Sequence, residues 1–95
     1  MNSTSIQDRL NTAIKLHSAG HIEQAEPIYR QVLAADPRQP DALHLLGVIA
    51  HQRGNPSAAL PLIEQAIQLR PREAPYRNNR GLVLDALGRQ NVAWE

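Results

Sequence analysis

The residues of this chain with the means to do chemistry are four histidines and nine carboxylates. Histidine binds metal ions and moves protons near neutral pH. His44 and His51 are separated by about 10 Å if they share a helix. That is too far for both to reach one zinc ion at ~2 Å. His17 and His51 could approach each other from neighbouring helices, but no third ligand stands near them in the sequence. A metal site is therefore not expected, and the histidines read as solvated side chains. Cysteine is absent, which removes thiolate nucleophiles, disulfides and sulfur-rich zinc sites. No activated nucleophile, phosphate-cradling glycine loop or carboxylate pair with a plausible pocket stands out. No enzymatic activity and no cofactor are expected.

Charge narrows the partners. The net charge is +1, too small to draw nucleic acid strongly. The one basic cluster, Arg70 to Arg89, is diluted by Glu73 and Asp85, and only Tyr76 offers an aromatic face for base stacking. No apolar run approaches membrane-spanning length. Met1 to Leu10 has no apolar core after a basic start, so it does not read as a signal peptide. The expectation is a soluble, cytoplasmic protein without nucleic-acid or membrane partners.

Any site must be built by elements, and the elements recur. Sliding the sequence places His17 on His51, Gly20 on Gly54, Ala25 on Ala59, Pro27 on Pro61 and Pro37 on Pro71. A second slide places Gly47 on Gly81, Gly54 on Gly88 and Ala59 on Ala93. Each unit reads as two helices. In the second unit, Asp41 is the expected N-cap before Ala42. Leu43, Leu46, Gly47 and Ala50 then follow the spacing of one helix face. Gly54 ends that helix, because glycine tolerates the left-handed conformation there. Asn55 caps the next helix with Pro56 at its first position, where a missing N–H costs nothing. Ala59, Leu62, Ile63, Ala66 and Ile67 form its apolar stripe, and Pro71 stops it. The first unit has helices near Ile6 to Ala19 and Ile22 to Ala35. Small residues recur where paired helices should touch: Ala13, Gly47 and Gly81 on first helices, Ala25, Ala59 and Ala93 on second. Phe is absent, Trp occurs once and Tyr twice, so the core is expected from Leu, Ile, Val and Ala, without aromatic layers. Pro27 and Pro61 fall inside their helices, where each should bend the chain.

These residues resemble the tetratricopeptide repeat (TPR). Its unit carries small or apolar residues at set positions and a proline near its end. Leu43, Leu46, Gly47, Ala50, Ala59, Ile63, Ala66 and Pro71 supply that pattern in the second unit. Ala13, Leu16, Ala25, Tyr29, Val32 and Pro37 supply it in the first, and Gly81, Leu84 and Ala93 in the third. The resemblance covers nearly the whole of 1–95: one array with repeats at 6–39 and 40–73 and a partial repeat at 74–95. The implied fold is all-α, an α-α superhelix of about two and a half helical hairpins, like the first repeats of a bacterial-type array. Arg9, Thr12, Arg77 and Arg80 depart from the pattern, standing where the family buries apolar residues. Arg80 puts packing of the third hairpin in question.

The resemblance also implies a function, the binding of a peptide or partner helix in a concave groove lined by first helices. The groove positions are Gln7, Leu10, Asn11, Ile14 and His17 in the first unit. In the second they are Asp41, His44, Leu45, Val48 and His51. In the third they are Pro75, Asn78, Asn79, Leu82 and Asp85. Leu10, Ile14, Val48 and Leu82 make an apolar lane beside a polar one, which suits an amphipathic helix or a partly apolar peptide. The competing reading packs that lane between neighbouring repeats. Family members that grip a C-terminal carboxylate use Lys, Asn and Arg here. This chain has Leu10, Ile14, Leu45, Pro75 and Asn79 in those places, with no cation, so such tails are not expected. Two other roles fit the resemblance: a substrate-recruiting first part of a larger transferase-type enzyme, and a self-assembling unit. The third hairpin is expected to have only the start of its second helix, Gln90 to Glu95. That would leave Val83, Leu84, Leu87, Val92 and Trp94 partly uncovered, so the expectation is either a longer array whose next repeat covers this hairpin, or a homo-oligomer in which a second copy does.

Overall fold

The computed structural model describes residues 5–92. Five helices follow one another: α1 (Ile6–Ser18), α2 (Ile22–Ala35), α3 (Pro40–Gln52), α4 (Pro56–Leu69) and α5 (Ala74–Val92). Among the described residues there is no strand. α1 packs on α2, α2 on α3, α3 on α4 and α4 on α5, with a lighter contact between α3 and α5. Extents of 58 × 27 × 20 Å fit a stack that grows along one axis, as repeat arrays do.

Local chemistry sets the helix ends. Ser5 opens α1 with a capping box: its hydroxyl accepts from the Asp8 amide, and the Asp8 carboxylate accepts from the Ser5 amide. α1 and α3 close in the same way. Gly20 (φ +89°) and Gly54 (φ +79°) take the left-handed conformation, and the amides of His21 and Asn55 reach back to the carbonyls of Leu16 and Ala50. Asn55 caps α4 by accepting from the Ala58 amide, with Pro56 in the first turn. At α3 the expected cap is corrected. Gln39, not Asp41, is the N-cap, and its side chain accepts from the amides of Asp41 and Ala42 at 2.7 and 3.2 Å. The fixed φ of Pro40 suits the first helical position, so the helix starts earlier. This leaves the Asp41 carboxylate free for another partner.

The core is made where helices meet. Leu10, Ala13, Ala25, Tyr29, Val32, Ala42, Leu46 and Ile49 join α1, α2 and α3. Ala59, Ile63 and Val83 join α4 to α5. The expectation of a core without aromatic layers is corrected: among the described residues, Tyr29 and Tyr76 are the two largest fully buried side chains. A tyrosine can be buried this way when its hydroxyl finds a partner, and both do. Gly47 shows why a small residue recurs. A Cβ there would lie 2.7 Å from Ile63 Cγ1 and 3.1 Å from the Ala59 carbonyl oxygen. Gly81 is different, for a Cβ added to it meets nothing within 4 Å.

Pro27 and Pro61 sit inside α2 and α4, with their rings exposed. Both helices continue through them. The third unit departs from expectation more sharply. α5 runs unbroken through Gly88 to Val92, so no new helix begins at Gln90. No Asn-Pro pair follows Gly88 to start one, and the Asp85–Arg89 ion pair, 2.9 Å, spans the glycine. Ala93, Trp94 and Glu95 lie outside the described residues. The question raised by Arg80 is answered by its neighbours: Tyr76 and Val83 are buried and hold α5 to the stack.

Candidate functional site

The first helices α1, α3 and α5 are tied side by side by polar side chains. His17 Nε2 meets Gln52 Oε1 at 2.9 Å, joining α1 to α3. The Tyr76 hydroxyl donates to Asp41 Oδ1 at 2.5 Å, and Asn79 Nδ2 donates to His44 Nε2 at 2.7 Å. These two join α3 to α5. All three pairs are separated by 35 positions in the chain. One residue of a unit thus reaches the next position along in the following unit, and a polar seam runs across the wall.

The seam withdraws several expected groove residues from solvent. Leu10 is 0% exposed and belongs to the core, so its groove role is corrected. The α1 face that carries it packs onto α2 and α3. His44, expected to be solvated, is 6% exposed. Its ring lies against Tyr76, with centroids 4.5 Å apart. Burial lowers its pKa, the Asp41 charge opposes that, and His17 adds to the lowering. The neutral ring then keeps Nε2 as an acceptor for Asn79. Asp41 is spent on Tyr76, with Arg70 at 3.7 Å. His17 is also committed: Nδ1 contacts the Tyr29 hydroxyl at 3.2 Å, and Nε2 contacts Gln52. Burial, and then the Asp41 charge, push the Tyr29 pKa up to about 12. Burial also raises the Tyr76 pKa, reinforced by its bond to Asp41. Tyr76 is therefore no stacking platform. Among the described residues no three side chains are grouped to hold a metal ion.

Other expected positions stay reachable. Gln7 and Asn11 are exposed and bonded to each other at 3.0 Å. Asn78 and Asp85 are exposed, and Leu82 is 50% exposed. Ile14, Leu45, Val48, His51 and Asn79 are half-buried. Gln52, Tyr29, Tyr76, Ala86 and Arg89 matter here and were not singled out for the site from the sequence. The signal available for the seam was polar residues spaced one position beyond the repeat length. Ala86 and Arg89, with His51, Leu82 and Asp85, line a recess of about 410 Å³ between α3 and α5. That lies within the ~300–1,000 Å³ range of small-ligand clefts.

Helical hairpins stacked in chain order, with their first helices bonded in constant register, define a helical-repeat protein. A tetratricopeptide-repeat family model matches residues 10–74 and 52–93, and the chain belongs to that family. Repeats of this kind generally mediate protein–protein interaction, and no helix among the described residues is long and apolar enough to cross a membrane. The comparison with curated protein sequences gave no match.

Proposed function

We propose that this chain binds an extended peptide or an amphipathic helix of another protein along the wall of α1, α3 and α5. One observation carries the reading: Leu82 stands half exposed on this wall among exposed Asn78 and Asp85. Ile14 and Val48, half-buried, continue the lane on α1 and α3, beside exposed Gln7 and Asn11. An apolar strip with polar flanks suits a ligand having one apolar face. Leu82→Arg places a charge on the strip without touching the core. Capture of partner proteins should drop at least tenfold while the helical circular-dichroism spectrum is unchanged. Undiminished capture would remove the groove from consideration.

A second reading, assembly of copies through α5, is favoured by the open face at Gly81 and by Leu84, which is 47% exposed. Sedimentation velocity at high micromolar concentration tests it. An oligomer that Leu84→Asp dissociates supports assembly. A monomer at every concentration contradicts it.

A further inference from the structure

The recess between α3 and α5 has an internal precedent. At the α1–α3 junction, His17 satisfies Nδ1 with the Tyr29 hydroxyl and Nε2 with the Gln52 amide oxygen. His51 is the repeat equivalent of His17. The same offsets that lead from His17 to Tyr29 and Gln52 lead from His51 to Ile63 and Ala86. Neither can hydrogen-bond through its side chain. Accordingly, His51 Nδ1 is buried with no partner among the described residues. The seam rule therefore holds three times, and at its fourth place the glutamine is replaced by a methyl group. The recess lies there, with both His51 and Ala86 on its wall.

We propose that this recess receives a carboxamide side chain, Gln or Asn, from the bound peptide, and that it takes the place Gln52 holds against His17. The inference rests on the groove reading above. With Nδ1 buried, the ring's least costly tautomer carries its proton on Nε2, ready to donate to an amide oxygen. Asp85 lines the recess and accepts from the amide NH₂. Exposed Leu82 covers the methylene stem. Asp85 and Arg89 are already paired at 2.9 Å. The recess thus has no net charge to draw a carboxylate, and a neutral amide that donates and accepts fits better.

The test is selection of displayed random dodecapeptides on the intact chain, followed by the same selection on Ala86→Gln, which supplies the missing amide internally. Peptides from the parent chain should share a Gln or Asn at one register. Replacing that residue with Leu should weaken binding about five- to ten-fold, the worth of one or two neutral hydrogen bonds. With A86Q the amide preference should vanish while the apolar preference remains. If A86Q does not fold, His51→Leu serves in its place and should erase the same preference. Binders with no amide preference, or with a preference for Glu or Asp, overturn this inference and leave the groove reading standing. Failure to select any binder removes both.

Discussion

At the scale of single residues, burial converts expected surface groups into structural ones. His44 is neutral in the fold because burial holds its pKa below the ordinary value, which is about 6.5. The unfolded chain then binds more protons below that pH, so stability falls as pH drops through and below about 6.5. Asp41 opposes the shift, His17 adds to it, and uncharged Tyr76 and Asn79 pack against the ring. Urea unfolding at pH 7.5 and pH 5 should show the loss. His44→Gln, which keeps an acceptor for Asn79, should flatten the trend, and an unchanged slope would count against the assignment. Removing the Tyr76 hydroxyl leaves its ring in place but strands the Asp41 contact. Tyr76→Phe should cost about 0.5–1.5 kcal/mol of unfolding free energy, measured the same way.

At the scale of helices, two repeat-equivalent glycines have opposite roles. Gly47 sits where α4 crosses α3, against the fully buried Ile63 and a backbone oxygen. Gly47→Ala should gain about 1 kcal/mol of helix propensity and lose about 1–3 kcal/mol to overpacking. The expected outcome is a net destabilisation, seen as a lower denaturant midpoint. Gly81 has open space around it, so Gly81→Ala should raise the unfolding free energy by about 0.5–1 kcal/mol, seen as a higher midpoint. A fall for the second variant would mean that something covers α5 in solution.

At the scale of the whole molecule, the stack has no single centre. Contacts link each helix mainly to its chain neighbours, so protection depends on position in the stack. α3 buries the largest set, Pro40, Ala42, Leu43, His44, Leu46, Gly47 and Ile49, whereas α1 buries only Leu10 and Ala13. Amide hydrogen exchange should therefore be slowest in α3 and several-fold faster in α1. Equal protection across the chain would show that the array unfolds as one cooperative unit.

Periodicity, glycines and prolines were enough to read the first four helices and the order of their packing from the sequence. Those features act within a few residues: a cap, a left-handed turn, a ring that cannot continue a helix. The reading failed where the outcome depends on distant neighbours. Asp41 looked like a cap because its partner Tyr76 stands a whole repeat away, and Gln39 with Pro40 held the position better. Gly88 resembled Gly54 in register, yet without an Asn-Pro start after it the helix carried on. Leu10 and His44 lay at groove phases, but exposure depends on which face a neighbouring helix covers. His51 and His17 are identical by type and phase, and only the packed structure shows that one has two partners while the other faces a recess. Local backbone preference is written in adjacent residues, whereas burial and pairing arise from side chains the stacking brings together.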